Sequence, residues 1–379
     1  MKQLDLIAKL QTALAGQSHR DPSVVMGFDG FVDRIARRVT GASAEGARRL
    51  NTMGAMGAML SARGEHSFSI ELSDMEERVG GNMPITASAL GTLGVGVDCF
   101  GAFGGLGVRE RGAAADRIAD LDPVFRGMPA ACRLHSYARP GHCLALEFDS
   151  CKLFLADNGE IEFADWAMVR NRVGEELARS LARARLIGLF NWGELAAMQG
   201  IWWQMALELP QAEPGAPRTL LVDPADCSRR TREELKGLLD TLALFRRHCT
   251  VALSVNEGEM RALADALDIE GEDALDLGRQ MGAIADVLVL HTGRLAAAWA
   301  QGREAVLPTR YVDAPALLTG GGDCFNAGFA LGLLAGCTEQ ECLACANTLS
   351  RCYVKNGDFP TWEVYMQELK DCNKWEVGQ

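Results

Sequence analysis

The chain has 379 residues, 48% of them hydrophobic, which is enough for a large α/β core and too apolar for disorder to dominate. Its 50 acidic residues outweigh 38 basic ones, for a formal charge of -12 without a long basic run. That balance disfavours nucleic acid and anionic membranes as partners and fits an enzyme acting on small molecules. Residues 1–10 are charged and spaced like a helix rather than like a signal peptide. The longest apolar run, residues 327–337, is about half of the roughly 20 residues a membrane span needs, so a soluble, cytoplasmic protein is expected.

Residues 24–28 are a short apolar run ending among Gly27 and Gly30, which predicts a buried strand leading into an active-site loop. Residues 67–72 and 144–148 instead alternate apolar with smaller or polar side chains, and Asp149 and Ser150 turn the second into residues 152–155. These predict half-exposed antiparallel strands standing off the main domain as a lid or an oligomer contact. Further continuous apolar runs at residues 186–190, 220–222, 251–253 and 287–290 are each followed by polar residues and a helical pattern. They suit the centre of a parallel sheet covered on both faces, where ligands collect at the strands' C-terminal ends. Asp33, Asn191, Asp223, Asn256 and His291 all fall just past such an end. The expected fold is a three-layer α/β/α domain with a central, mostly parallel sheet. It is one domain over residues 1–379, with lid strands from about 60–78 and 132–160; no repeat or interdomain linker interrupts it.

The most informative stretch is Thr319-Gly320-Gly321-Gly322-Asp323-Cys324-Phe325-Asn326-Ala327-Gly328. Glycines at a helix start leave N–H groups unshielded where partial positive charge collects, making a seat for a phosphate-sized anion. Asp323 beside that seat is a candidate general base, and the two together are the minimum apparatus for phosphorylating an alcohol. A Gly-rich turn with Asp323 as a helix cap is the plainer alternative.

Twelve cysteines include a Cys337-x4-Cys342-x2-Cys345 spacing followed by Cys352, which coincides with an iron–sulfur pattern. Cys342, Cys345 and Cys352 lie in a strong helix former at offsets that share one buried face, so they read as core thiols. The six histidines form no zinc-binding pair.

Over nearly its whole length the chain resembles the ribokinase family, the PfkB-type carbohydrate kinases. The glycine–aspartate loop with Asn326, Ala327 and Gly328 is similar to the family's C-terminal signature. Gly80, Gly81 and Asn82 with Ala87, Leu90, Leu93 and Gly94 resemble its N-terminal Gly-Gly segment, and Asn256-Glu257-Gly258-Glu259 its Asn-x-x-Glu element. The resemblance implies ATP and Mg²⁺ and a sugar or sugar-like acceptor phosphorylated on a hydroxymethyl group; the alternating lid strands themselves make a homodimer through the lid an option. It implies Asp323 as the base, with the N–H groups of Gly320, Gly321 and Gly322 as the anion hole. Asp33, Gly81, Asn82 and Asn191 would meet the sugar; Asn256 and Glu259 would order magnesium-bound water; His291, Gly293 and Asn347 would line the nucleotide.

Departures from the family pattern are Leu317-Leu318 where it has Asp-Thr, Gly321 where it has Ala, and Ile85 where it has an asparagine. Residues 101–107 also lack its aspartate. The leucines remove side-chain oxygens with which many relatives bind K⁺, and Ile85 removes a sugar-facing amide, so an atypical acceptor is expected. An ADP-dependent sugar kinase, a nucleoside kinase and a non-catalytic sugar-binding relative stay open as readings. A Rossmann dehydrogenase is disfavoured, because residues 91–107 hold no Gly-x-Gly-x-x-Gly in register with a strand–helix turn.

Overall fold

A computed structural model describes residues 3–16, 22–43, 46–104, 121–149, 151–211, 217–317 and 319–371. The continuous apolar runs are strands: β1 (Val24–Gly27), β9 (Leu186–Phe190), β10 (Thr219–Asp223), β11 (Thr250–Asn256) and β12 (Val287–His291). With β5 (Val97–Ala102), β6 (Cys132–Ala138), β13 (Leu295–Ala300) and β14 (Arg303–Pro308) they form a nine-stranded sheet of order β14-β13-β12-β11-β10-β9-β1-β5-β6. Pairing is parallel from β6 to β12, and antiparallel at β13 and β14. The chain progresses outward from β1 in both directions, so the crevice between β1 and β9 is the topological switch point where such sheets bind ligands.

Both faces of the sheet are covered, and strand side chains alternate between them. Val251, Leu253 and Val255 point into one core, while Ala252 points into the other. The first core is completed by α4 (Trp166–Arg183), α5 (Ala197–Glu208), α6 (Arg232–Phe245), α7 (Glu257–Ala266) and α8 (Ala274–Met281). The second is completed by α1 (Gln3–Ala15), α3 (Asn82–Thr92), α9 (Gly321–Leu334), α10 (Glu339–Asn356) and α11 (Trp362–Asp371). Burying one such Leu or Val contributes about 1.5–3 kcal/mol, so the two layers dominate stability. Helix starts are fixed locally by capping boxes at Thr231/Glu234, Asn256/Glu259 and Thr338/Glu341.

The lid is larger than its alternating runs suggest. It contains β2 (Phe31–Ser43), β3 (Gly46–Arg49), β4 (Ile70–Gly80), β7 (Gly141–Glu147) and β8 (Lys152–Asp157). The 13-residue β2 pairs with β4, β7 and β3, and thus carries the lid directly out of the loop after β1. Residues 60–63, expected near the lid's first strand, belong instead to α2 (Met53–Arg63). That helix packs on the lid through Met56, against Ala36, Val39, Leu146 and Phe148. Residues 132–138, also assigned to the lid from sequence, are β6 at the edge of the main sheet. Ser150 lies outside the described residues.

α9 and α10 approach until their backbones touch. A Cβ added at Gly328 would lie 2.6 Å from Ala346 Cα and 2.6 Å from the Cys345 carbonyl oxygen, and one at Gly332 would lie 2.9 Å from Cys342 Cα. Cys342, Cys345 and Cys352 are buried on α10, as their helical offsets imply. No helix among the described residues is long and apolar enough to cross a membrane.

Candidate active site

The glycine loop opens α9. Gly320 holds the left-handed conformation at φ 89°, which a side chain would strain, and an added Cβ would stand 2.8 Å from the Tyr353 hydroxyl. Gly321 and Gly322 are the first helical residues, so their N–H groups have no partner within the helix. Asp323 follows on the same turn and is buried. Asn82, at the start of α3, donates its side-chain N–H to Asp323 Oδ1 at 2.9 Å. Thr86, one turn further, donates to the Asp323 carbonyl at 3.3 Å. Burial first, and then the charge of Asp223, push the Asp323 carboxyl well above the usual carboxylate range.

Two cavities meet at this loop. The first, about 410 Å³, is lined by Asn82, Glu194, Asp223, Asp226, Glu259 and Asp323, among others. The second, about 460 Å³, is lined by Thr292, Gly293, Thr309, Gly321, Phe325 and Asn347, among others. Asn256, Gly258, His291 and Gly322 belong to both. An elongated donor in the second cavity and a compact acceptor in the first would therefore face each other across Gly322.

Of the residues expected to hold the nucleotide and its magnesium, Gly293 and Asn347 line the second cavity, Asn256 and His291 belong to the shared wall, and Glu259 lines the first cavity. Asn256 caps α7 by accepting the Glu259 N–H at 3.0 Å, while Glu259 Oε2 accepts the Asn256 N–H at 2.8 Å. The box keeps the Glu259 carboxylate buried rather than solvated. Burial, followed by the nearby Asp223 charge, raises its proton affinity strongly. His291 packs against Phe325 with ring centroids 5.0 Å apart and the planes tilted by 33°, and burial holds its imidazole neutral down to about pH 4. His291 Nε2 and Asn347 Nδ2 are buried without a hydrogen-bond partner, as expected of polar groups that a ligand completes. Gly293 is open, with no atom near an added Cβ.

The expected acceptor-binding residues are less uniform. Asn82 lines the first cavity directly. Gly81 precedes it at φ 91°, where an added Cβ would stand 2.8 Å from Asp29 Oδ2. Asp33 stands on lid strand β2 against Gly80, and burial and then the charge of Glu194 push its carboxyl up to about 6. Asn191 is buried in a left-handed conformation at φ 62°, and its amide donates to Asp29 Oδ2 at 3.1 Å. Leu317 is buried in the second core; Leu318 and residues 105–107 lie outside the described residues.

Sequence reasoning missed Asp29. It accepts the N–H groups of Asn82 and Met83 at 2.8 and 3.1 Å, as well as the Asn191 amide, and so ties β1, α3 and β9 together at the switch point. The signal was present in the Asp29-Gly30 pair just past β1, but Asp33 four residues later competed for the same reading. Asp223 and Asp226, recognised as strand-end carboxylates without a role, line the first cavity. Asp223 accepts Asn326 Nδ2 at 2.5 Å and the Ala225 N–H at 2.8 Å.

These buried acids make stability depend on pH. Burial raises Asp29 from 3.8 to about 7 and Asp33 to about 6, and it raises Asp223 and Glu259 as well. A carboxyl raised in the fold contributes stability that is complete below its unfolded pKa and is lost as pH climbs through the folded one. His291 acts oppositely: its contribution is complete above 6.5 and is lost as pH falls toward about 4. From pH 6 to pH 8 the carboxyls decide, so the ligand-free protein should lose on the order of 2 kcal/mol, or several degrees of Tm, across that interval. Circular dichroism melts in chelator-containing buffers check this; a Tm that is flat or rises from pH 6 to pH 8 contradicts it.

A mostly parallel sheet with a curled lid, and a buried aspartate at a glycine-opened helix start between two cavities, define a sugar kinase of the ribokinase class. The chain belongs to the prokaryotic ketohexokinase family, whose model matches residues 7–371. It is 28% identical over 356 residues to a ketohexokinase of Haloferax volcanii, covering 90% of this chain and 88% of that one. Among solved structures it is similar to a probable sugar kinase from Rhizobium etli, with TM-score 0.64 and 15% identity over 93% of this chain and 98% of that one. It is also similar to the adenosine kinase of Sinorhizobium meliloti, with TM-score 0.63 and 14% identity over 93% and 99% of the two chains. The Arabidopsis thaliana ribokinase complexed with ribose and ATP gives TM-score 0.58 and 17% identity over 92% and 99%.

Proposed function

We propose that this sugar kinase transfers the terminal phosphoryl group of ATP to a hydroxymethyl group of a ketohexose-like sugar. The observation that carries this reading is the meeting of the two cavities at Gly322, next to the Asp323 carboxylate. Asn82 occupies Asp323 Oδ1 and leaves Oδ2 for the acceptor hydroxyl. As that oxygen attacks the terminal phosphorus, the bond from phosphorus to the bridging oxygen breaks and ADP leaves, while the hydroxyl proton passes to Asp323, whose high proton affinity in the buried site favours the transfer. The N–H groups of Gly321 and Gly322 hold the charge on the phosphoryl oxygens, with Gly320 fixing the turn that aims them. The neutral His291 and Asn347 complete the nucleotide side, and Asp33, Gly81 and Asn191 shape the acceptor side.

Among the described residues no group of three or more His, Cys, Asp or Glu side chains is placed to hold a metal ion. A Mg²⁺ that keeps most of its waters needs few direct carboxylates, and Glu259, which lines the first cavity beside Gly322, would act on it through water. When bound, such an ion supplies charge that neutralises the phosphates. The test is nucleoside diphosphate or monophosphate release from ATP or ADP over ketohexoses, aldoses and nucleosides. ATP-dependent turnover with a ketohexose is expected; silence with every acceptor overturns the reading.

The lid also offers a face for a second copy. Phe154 and Leu155 on β8 are 48% and 51% exposed, and Met75 on β4 is 48% exposed. We expect a homodimer through these residues, seen by light scattering and weakened at least tenfold by Leu155→Lys. A wild type that is strictly monomeric at tens of micromolar excludes it.

A further inference from the structure

Arg78 carries a contact from the lid to the phosphoryl end of the site. It stands on β4 opposite Asp33 of β2, shortly before the Gly80-Gly81-Asn82 segment whose side-chain amide holds Asp323. Arg78 Nε donates to Glu76 Oε1, two residues back on the same face of the strand. Glu76 Oε2 is taken in turn by Arg37 of β2, whose Nε also lies 3.7 Å from Glu147 of β7. An isolated surface ion pair contributes little, but charges that alternate across three strands fix one another's rotamers. With its Nε held in this way, Arg78 extends away from the lid, and its Nη1 donates to the Gly357 carbonyl at 3.5 Å.

That carbonyl lies at the end of α10. Gly357 terminates the helix in the left-handed conformation at φ 74°, donating its N–H to the Tyr353 carbonyl at 2.8 Å, and a cation there suits the partial negative charge of a helix C-terminus. The last two turns of α10 also hold the glycine loop. The Ser350 hydroxyl donates to the Gly321 carbonyl at 2.8 Å, and the Tyr353 hydroxyl lies against Gly320. The Val354 carbonyl accepts the N–H groups of Ala316 and Leu317 at 2.9 and 3.3 Å. Arg78 therefore touches the element that fixes the anion loop, while its own strand runs on to the residue that fixes the Asp323 carboxylate. It lines neither cavity itself. At 3.5 Å its contact with Gly357 is at the outer limit for a hydrogen bond, which leaves room to tighten.

We propose that Arg78 is a positioning residue for phosphoryl transfer. It latches the lid to the C-terminal end of α10, and the latch draws tight when acceptor and donor are both bound, so that closing the site and aiming the anion loop are one event. The proposal rests on the kinase reading above and adds to it a residue that acts from outside both cavities.

Steady-state kinetics and product analysis on the full chain test the latch. Arg78→Ala should lower kcat with the sugar at least tenfold while leaving the nucleotide KM within about threefold. An unlatched lid admits water to the phosphoryl group, so the share of ADP released without sugar phosphate should rise at least fivefold. Guanidinium added at low millimolar concentration should raise the kcat of Arg78→Ala at least threefold and leave wild type unchanged, a rescue that mere loss of stability would not show. Arg34→Ala, which breaks the exposed Arg34–Glu77 pair on the same two strands, should behave as wild type. Circular dichroism identical to wild type excludes misfolding of either variant. A folded Arg78→Ala with wild-type kcat overturns the latch and leaves the kinase reading intact. A fall in kcat with neither guanidinium rescue nor excess hydrolysis, or an equal fall in Arg34→Ala, also overturns it. A wild type silent with every sugar overturns the kinase reading itself, before Arg78 is changed.

Discussion

Asp323→Asn should cut turnover by on the order of 10²–10⁴ while leaving nucleotide affinity nearly unchanged. Asparagine keeps the shape and can still occupy the first turn of α9, but its amide accepts no proton at working pH. The substitution also removes an ionisable group whose charged form burial disfavours, from a cavity that holds Asp223, Asp226, Glu194 and Glu259, so the fold should not suffer. Raised thermal stability with lost activity would locate the effect in the chemistry. Near-normal turnover would exclude Asp323 as the base.

Gly328→Val should be the most damaging single change in the core. Its Cβ would fall 2.6 Å from the backbone of α10, where no side chain can move aside, so the two helices must separate. Overpacking of flexible neighbours costs about 1–3 kcal/mol, and a rigid backbone neighbour puts the cost at or above the top of that range. Because Asp323 and the anion loop ride on the same helix, turnover should fall along with Tm. Thermal melts and kinetics on the purified variant check both, and a Tm within two degrees of wild type would contradict the packing argument.

The legibility of the chain followed the range of the physics involved. Short-range signals were readable: residues 186–190 and 287–290 announce buried strands by composition, and Asn256 with Glu259 announces a capped helix by spacing. The three glycines before Asp323 singled out the loop that lies where the two cavities meet. What was hidden depends on pairing at a distance. β2 has no simple alternation, because Arg34, Arg37 and Arg38 interrupt its apolar residues, and it is a strand because β4 and β7 supply its hydrogen bonds. Residues 132–138 were misplaced for a related reason: their pattern fits a half-exposed strand, and edge position in the main sheet produces the same pattern as a lid. Asp29 gains its significance from Asn82, Met83 and Asn191, more than fifty residues away, which no local window contains.

The shared wall of Asn256, Gly258, His291 and Gly322 bears on thermodynamics as much as on geometry. Any ligand that settles these residues in one cavity also sets the boundary of the other, so the two binding free energies carry a common coupling term. Linkage then makes that term reciprocal: whatever factor the donor lends to acceptor affinity, the acceptor returns to the donor. The affinity measured for either ligand alone is therefore not a property of its own cavity.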